Sequence, residues 1–395
     1  MTNEDLWRRI KRSIGNLTPQ CQLHFDVHIV EHCNLNCALC GHFSPLAEES
    51  YLDPASYERD CKRLSELFDG EMASILLLGG EPLLHPQIVE FMRITREAFP
   101  VGRIRIVTNG ILLPKMTEKF WDACKEYNVE ISPSYYPIKF DYDGWGQIAE
   151  SKGVKYTPFS LPNQTQSKKS WGKVFPICTK RGGTYGLSRS NFLRCQDANH
   201  CVTLRDGRMY PCDIAAHAFH LKKYFDLDIQ LSDRDSVDIY SVGSGSELLE
   251  ALARPIPFCQ YCDVVDAGKL LTCDWGVSRK DRYEWLAFEF TKDDIAYLKE
   301  KQPTIYVFGA GTWGNRTVMR LKNHGIPVEA VLVTARTDGR TDVLGVPVLA
   351  LEDVGNVDPD SICLVALASP SAKEEVYPVL SQMGFKDVIP VSGIE

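Results

Sequence analysis

The chain has 395 residues, of which 44% are hydrophobic, so it can bury more than one core and two or three domains are expected. Its 44 basic and 52 acidic residues give a net charge of −8, which argues against broad binding to a nucleic-acid backbone. The opening residues carry acids and no apolar leader, and no segment approaches the roughly 20 apolar residues of a membrane span. We therefore expect a soluble, cytoplasmic protein, in which 14 cysteines indicate metal ligation rather than disulfides.

The first predicted elements are a helix, a strand and a second helix. Residues 1–20 predict a helix that covers one end of the first domain. Residues 23–30 alternate apolar and polar side chains, which predicts a strand that delivers the following loop from its carboxyl end. Residues 54–68 begin with proline and carry apolar side chains at helical intervals, so they predict the helix that returns the chain to the next strand.

Three cysteines lie in the loop between those elements, at C-x3-C-x2-C spacing: Cys33, Cys37 and Cys40. Disulfides explain this spacing poorly, because neighbouring thiols would leave the third without a partner. Zinc usually takes four ligands, whereas thiolates in a compact loop also suit an iron–sulfur cluster. A cubane held by three cysteines leaves one iron open to a small molecule, and structural zinc or chance clustering is the alternative.

The next strand is predicted over residues 74–78, an apolar run followed by Gly79, Gly80, Glu81 and Pro82. Glycines just after a buried strand allow backbone groups to approach a ligand closely, although an ordinary turn is the other interpretation.

The cysteine spacing and the GGEP segment together resemble the radical S-adenosylmethionine (SAM) superfamily. The resemblance implies that Cys33, Cys37 and Cys40 hold a [4Fe–4S] cluster and that residues 79–82 meet the methionyl amine of SAM. Leu39 stands where the family usually has an aromatic residue, and it can still cover the adenine through apolar contact.

A repeated helix–strand alternation follows, with helices near 87–99 and 117–127 and strands over 104–109, 129–132 and 154–159, which implies a parallel sheet. The family resemblance implies an α/β fold with a partial (β/α)6 TIM-like barrel over residues 21–190. It also gives Asn109 and Ser132 as contacts to the ribose or carboxylate of SAM. As an alternative, Asn109 and Gly110 form a common turn pair.

A second cysteine set follows the barrel: Cys195, Cys201, Cys212, Cys259, Cys262 and Cys273. Asp206 and Gly207 predict a hairpin that brings the flanking thiols together. The set resembles the SPASM or twitch extension, here over residues 191–290, which implies an auxiliary [4Fe–4S] cluster. Its expected ligands are Cys212, Cys259 and Cys262, with Cys195 or Cys201 as the fourth and Cys273 as a spare. A structural zinc site is the competing interpretation.

The last segment begins after an aromatic-rich stretch, predicted to pack as a closing element over 275–290, and a capped helix near 291–303. A strand over 304–308 leads into G-x-G-x-x-G at Gly309, Gly311 and Gly314, which is typical of a dinucleotide-type phosphate loop. Further strands are predicted over 328–333 and 362–366, with a helix over 374–383. Residues 303–395 resemble small Rossmann-like domains of glycan-biosynthesis proteins. No acid for a ribose follows the second strand, so nucleotide or nucleotide-sugar binding is expected rather than a complete NAD site, with a scaffold or dimerisation role as the alternative.

The resemblance implies an enzyme, a radical SAM oxidoreductase of dehydrogenase type. Reductive cleavage of SAM would give a 5′-deoxyadenosyl radical that abstracts hydrogen from a small-molecule substrate, here a carbohydrate or nucleotide-sugar, with flavodoxin or ferredoxin as electron donor. A peptide-modifying maturase is the alternative enzyme, and a non-catalytic iron–sulfur or zinc sensor is the alternative of another class. No acid or base is assigned among the side chains considered: His42, Glu48, Tyr135, Arg181 and His217.

Overall fold

The structure is a computed structural model that describes residues 24–159, 171–172, 177–179, 185–195, 197–262, 272–273, 275–335, 339–367 and 370–392. The helix predicted over residues 1–20 lies outside these ranges. The chain forms two compact units, the first from Met1–Ser170, Tyr185–Gln260 and Trp275–Lys280, the second from Trp171–Thr184, Tyr261–Asp274 and Asp281–Glu395. Among the described residues, no helix has the length and apolar character needed to cross a membrane.

The first unit is built on a seven-stranded sheet whose strand order is β4-β3-β2-β1-β5-β6-β7. Strands β1 to β4 pair in parallel, β5 joins the free edge of β1 in parallel, and the last three strands are antiparallel. The predicted α/β architecture with parallel strands is thus confirmed, and within the described ranges the sheet is open. The strands are β1 (His24–Val30), β2 (Ser74–Gly79), β3 (Arg103–Thr108), β4 (Val129–Pro133), β5 (Thr203–Arg205), β6 (Arg208–Tyr210) and β7 (Val237–Asp238).

The helices of the first unit lie in the connections between the strands of this sheet. Pro54 opens the first of them, and the Asp53 carboxylate caps it by accepting a hydrogen bond from the Ser56 backbone amide at 3.0 Å. The helices are α1 (Pro54–Leu67), α2 (Ile88–Ala98), α3 (Glu118–Glu126), α4 (Tyr142–Ser151), α5 (Tyr185–Arg194), α6 (Asp213–Phe225) and α7 (Gly245–Leu252). Short 3-10 helices lie at Ser44–Leu46, Pro82–Leu84, Leu113–Lys115, Asp233–Asp235, Pro257–Tyr261, Arg282–Glu284 and Leu351–Asp353.

The two faces of β1 carry different chemistry. Phe25, Val27 and Ile29 are buried in the main apolar cluster of the unit. Because strand side chains alternate, Asp26 and His28 point to the opposite face, and both are buried although they are polar. The sheet therefore has one apolar face and one inner face with ionisable groups.

The end of β1 is irregular. Its pairing with β2 shifts between His28 and Val30, so that Ile29 is an extra residue in the ladder. A bulge of this kind bends the strand and re-aims the side chains that follow it. The shift thus comes just before the chain leaves the sheet as the cysteine-containing loop.

The hairpin predicted at Asp206 and Gly207 is confirmed, since β5 and β6 pair around these two residues. Both have a positive φ, 50° and 71°, which is the backbone of a tight two-residue turn between twisted strands.

The second unit holds a six-stranded sheet in the order β10-β11-β9-β8-β12-β13. All neighbours pair in parallel except β10 and β11. The parallel strands thus follow the order 3-2-1-4-5 of a doubly wound sheet. The strands are β8 (Ile305–Phe308), β9 (Ala330–Val333), β10 (Asp342–Val343), β11 (Val346–Ala350), β12 (Ile362–Val365) and β13 (Asp387–Pro390), and the helices are α8 (Lys292–Lys301), α9 (Thr312–Asn323) and α10 (Pro370–Gln382). A two-residue ribbon pairs Trp171–Gly172 with Thr272–Cys273.

A glycine turn joins β8 to α9 in this unit. Gly309 has a φ of 109°, a conformation that other residues rarely adopt. A Cβ on Gly314 would overlap the Gly309 carbonyl oxygen, whereas one on Gly311 would meet nothing within 4 Å. The first and third glycines are therefore needed for the turn and for close helix packing, and the second lies beside open space.

We expect Gly314→Ala to lower the free energy of unfolding by about 1–3 kcal/mol, because the added methyl group forces backbone apart. Gly311→Ala is the matched control and should change it by less than about 0.5 kcal/mol. Calorimetry of the full chain measures both, and equal stabilities of the two variants would contradict this account of the turn.

Candidate functional site

The loop that follows β1 carries Cys33, Cys37 and Cys40, and it is held in place by a distant segment of the same unit. Cys37 forms a backbone bridge with Val277. The Ala38 amide donates to the Gly276 carbonyl at 2.9 Å, and the Ser278 amide donates to the Asn36 carbonyl at 2.7 Å. Residues 275–280 thus act as a second strand beside the cysteine loop.

The three thiols lie in one short loop, with Cys37 buried and Cys33 and Cys40 partly buried. Burial raises the pKa of Cys33 and of Cys37 to about 12, and it also raises the pKa of Cys40. As free thiols they stay protonated at neutral pH, and a bound cation is required to turn them into thiolates.

Gly79 and Gly80 bring β2 into close contact with the start of this loop. The Gly80 amide donates to the Val30 carbonyl at 2.8 Å, and the Glu81 amide donates to the His32 carbonyl at 3.1 Å. A Cβ on Gly80 would overlap the His32 carbonyl oxygen, and one on Gly79 would overlap that of Val30. The close approach seen in the structure is therefore to the cysteine-loop backbone.

Glu81 is fully buried, and its carboxylate ties three chain segments together. It accepts hydrogen bonds from the Thr108 hydroxyl at 2.6 Å, the Asn109 amide at 2.9 Å and the Leu83 amide at 3.0 Å. Burial raises the pKa of Glu81 to about 7, and these hydrogen bonds oppose the shift. With its oxygens occupied in this way, the side chain fixes the ends of β2 and β3.

Two further predicted site residues lie at the carboxyl ends of strands. The Asn109 side-chain amide donates to Asn34 Oδ1 at 2.6 Å and lies 3.7 Å from the Cys33 sulfur. Ser132, near the end of β4, is fully buried, and its hydroxyl has no hydrogen-bond partner in the described part of the chain. Leu39 lies within the loop in a left-handed conformation with a φ of 60°.

Two aromatic side chains beside the cysteines were not identified as site residues from the sequence. Trp275 Nε1 donates to the Cys37 sulfur at 3.2 Å. Tyr136 lies with its ring centroid 6.2 Å from that of Trp275, and its pKa is raised by burial and by the charges of the three cysteines. Trp275 was predicted to pack in the closing aromatic stretch, and no spacing signal joins it to Cys37.

The second cysteine set divides between the units. In the first unit, the charges of Cys259 and Cys195 interact, as do those of Cys195 and Cys201. Cys212 caps α6, and its sulfur accepts from the Ala215 amide at 3.5 Å. Cys262 lies in the second unit, where its backbone bridges Ile177.

A group of histidines surrounds Glu31 on the inner face of the first unit. His28, His217 and His220 all lie near the same carboxylate oxygen. Burial lowers the pKa of His28 and of His217. Burial alone would raise the pKa of Glu31, but the three imidazoles outweigh it and hold that pKa well below its ordinary value. No role could be assigned to these residues from the sequence, because almost 190 residues separate Glu31 from His217 and His220 in the chain.

The glycine turn of the second unit has two cationic side chains beside it. The Arg340 guanidinium donates to the Ala310 carbonyl oxygen. The Lys373 ammonium lies 6.0 Å from the centre of the Trp313 ring, at the start of α9.

The region from β1 to β4 also matches a known family. Residues 27–133 match the family model of the radical SAM superfamily. The match contains the cysteine loop, the GGEP segment and Asn109. Residues 27–133 form a radical SAM domain.

Curated relatives match part of the chain. A GTP 3′,8-cyclase of Alkaliphilus oremlandii is 29% identical over 118 residues, which are 30% of this chain and 37% of the relative. A GTP 3′,8-cyclase of Microcystis aeruginosa is 28% identical over 154 residues, 35% of this chain and 46% of the relative. The chain spans less than half the length of these relatives.

Solved structures of low identity also align with the chain. A crystal structure of BtrN in complex with AdoMet and 2-DOIA has a TM-score of 0.38 and 18% identity, and it covers 67% of this chain and 98% of BtrN. Native anSMEcpe with bound AdoMet has a TM-score of 0.37 and 12% identity, and the alignment covers 60% of this chain and 82% of the anSMEcpe chain.

The radical SAM family uses a [4Fe–4S] cluster and SAM, and the residues present here fit both groups. Three convergent thiols match a cluster that keeps one iron for a ligand. The unpartnered Ser132 hydroxyl provides a polar group at the same edge of the sheet, where ligands of parallel α/β folds bind.

We expect Glu81→Gln to change how stability depends on pH. Because burial raises the pKa of Glu81 to about 7 from an ordinary 4.5, the folded wild type holds its proton more tightly than the unfolded chain. Its free energy of unfolding should therefore fall as the pH rises from about 4.5 to about 7, and the variant should lack this component. Chemical denaturation across this range measures the difference, with exposed Glu126→Gln as control. Parallel pH profiles for wild type and Glu81→Gln would refute the assignment.

Proposed function

We propose that this protein is a radical SAM oxidoreductase of dehydrogenase type that acts on a carbohydrate carried as a nucleotide-sugar. The observation that supports the first part is the set of three cysteines in the loop that follows β1, inside the segment that matches the radical SAM family model. When bound, the cluster and SAM supply the radical chemistry that removes a hydrogen atom from the substrate.

The roles of the chain's own residues follow from their contacts. Cys33, Cys37 and Cys40 would hold the cluster. The backbone at Gly79 to Pro82, fixed by Glu81, would present polar groups to SAM together with Asn109 and Ser132. Trp275, through its hydrogen bond to the Cys37 sulfur, would raise the reduction potential of the centre and shield it from water.

The substrate class is proposed from the second unit. Its glycine turn leaves open space at Gly311, just where a helix begins, and an anionic phosphate is favoured at such a site. Arg340 and Lys373 add positive charge beside the turn. The curated relatives are named for a reaction of GTP, but the alignments cover only 30% and 35% of this chain, so they do not define the substrate.

The auxiliary cluster is also a proposal. Of its expected ligands, Cys212 and Cys259 lie in the first unit, as do Cys195 and Cys201, one of which would be the fourth ligand. Cys262, the remaining expected ligand, lies in the second unit. A cluster with four cysteine ligands would accept the electron left on the product, which gives a net two-electron oxidation. A flavodoxin or ferredoxin would supply the electron that starts each cycle.

The test of the enzyme class is 5′-deoxyadenosine formation from SAM by anaerobically reconstituted protein with dithionite. We expect wild type to contain about two cubane clusters and the combined Cys33→Ala, Cys37→Ala and Cys40→Ala variant about one, without 5′-deoxyadenosine. The iron and sulfide content and the product are measured on the same samples.

The matched control for this experiment is Cys124→Ala, since Cys124 is a buried cysteine of the apolar core. It should keep all of its iron and its activity. If the triple variant keeps the iron content of wild type, or if wild type binds zinc instead, the protein is a structural or sensory metalloprotein.

The nucleotide-sugar proposal is tested with Gly311→Val in the full chain. The added side chain fits the open space without strain, because Gly311 has a φ of −76°, yet it occupies the position expected for phosphate. We expect calorimetric binding of UDP-glucose to wild type and a loss of at least about tenfold in the variant. Gly355→Val, also in open space in the second unit, should bind like wild type. Absence of UDP-glucose and UDP binding to wild type would favour a scaffold or dimerisation role.

A further inference from the structure

We propose that His28, Glu31, His217 and His220 form a second metal site, for a divalent first-row transition ion, with Zn²⁺ as the ion that suits it best. The site is separate from both cysteine sets and does not depend on SAM cleavage. Three imidazoles and one carboxylate are ligands typical of zinc and other borderline ions, whereas iron–sulfur clusters prefer thiolates.

The distances between the donor atoms fit one ion. From Glu31 Oε2, His28 Nδ1 lies at 3.4 Å, His217 Nδ1 at 3.2 Å and His220 Nε2 at 2.8 Å. Ligand atoms of His28, Glu31 and His217 all lie within 4.8 Å of one another. Tetrahedral ligands at about 2.0–2.1 Å from zinc are about 3.4 Å apart, so small side-chain movements bring the donors of His28, Glu31 and His217 into range, whereas His220 must turn further to join them.

The hydrogen bonds of these imidazoles are incomplete. His217 has no exposed surface, and neither of its ring nitrogens has a hydrogen-bond partner in the described part of the chain. Nδ1 lies near Glu31 without the alignment of a hydrogen bond. His28 Nε2 is also buried without a partner. Buried polar groups without partners destabilise the folded protein, and a metal ion bound to an imidazole nitrogen satisfies one of them.

Two rigid elements position the four side chains. His28 and Glu31 lie at the bulged end of β1, and His217 and His220 lie three residues apart on α6, which places them on one face of the helix. The rings of His28 and His217 stack at 3.4 Å between centroids, 13° from parallel. Both rings are therefore already oriented toward the same carboxylate.

An entry path and an outer layer of polar groups are also present. His28, Glu31 and His220 line a cavity of about 710 Å³ in the first unit, through which an ion can enter. The rings of His42 and His28 lie edge to face with 4.6 Å between their centroids, and His42 Nε2 lies 3.5 Å from Asp213 Oδ2. Such outer partners orient the ligands of metal sites.

The test is zinc X-ray absorption on cluster-loaded full-length protein that has been equilibrated with Zn²⁺ and freed of excess metal. We expect about one zinc per chain, with nitrogen and oxygen neighbours at about 2.0–2.1 Å and no sulfur near 2.3 Å. The absence of sulfur separates this site from zinc bound to cysteines. Zinc with sulfur neighbours, or no bound zinc, would overturn the proposal.

Variants identify the ligands. His217→Asn and Glu31→Gln should each weaken zinc affinity by more than the roughly 10- to 100-fold typical of outer partners, with the iron content unchanged. His24→Asn is the control, because His24 lies on the same strand but its ring contacts the His200 carbonyl at 2.9 Å. If His217→Asn loses its iron through misfolding, Glu31→Gln and His220→Gln decide the outcome. Wild-type zinc affinity in a folded His217→Asn or Glu31→Gln variant would refute the site.

Discussion

The contact between the β2 glycines and the backbone that leaves β1 is the constraint on which the first unit depends. Gly80 touches the His32 carbonyl so closely that no side chain fits, and this contact fixes the start of the cysteine loop. Glu81 extends the same junction to β3 by accepting from Thr108 and Asn109. Three strand ends are thereby held in one arrangement, and the thiols lie above it. The GGEP segment thus acts as a scaffold, because the Gly80 and Glu81 amides and the Glu81 carboxylate are all engaged inside the protein.

Many strands could be predicted from the sequence because their signals are local, but β10, β11 and β13 were not predicted. The strand predicted over 154–159 is wrong, since the structure has only an isolated bridge there, at Tyr156. Apolar runs bounded by glycine, such as residues 74–80 and 304–309, match β2 and β8 within a residue or two. The cysteine loop could be predicted equally well, since the spacing of its cysteines is a local pattern. Helices such as α6 were not predicted, because their apolar side chains lie in an irregular region where no alternation marks their ends. There the hairpin at Asp206 and Gly207 was the only firm turn signal.

The contacts that could not be predicted join residues far apart in the chain. Trp275 meets Cys37 across 238 residues, and His220 meets Glu31 across 189. No local sequence pattern indicates either contact. Each one depends on how the folded sheet brings the end of β1 close to α6 and to residues 275–280. Ser132 shows the reverse case, since its position was predicted from the strand end while its lack of a hydrogen-bond partner is visible only in the structure.

Two kinds of side chain that can bind metals lie within a few residues at the end of β1. Their chemistry favours different metals. Glu31 points to imidazoles, whereas Cys33 begins the thiol loop, and the bulge in β1 comes just before both. Thiolates select iron–sulfur clusters, and imidazole with carboxylate selects a harder divalent ion. If both sites are filled, the positive charge of the second ion lies close to the cluster loop and favours the reduced cluster over the oxidised one. The histidine group would then act on the cluster through charge, without touching its ligands.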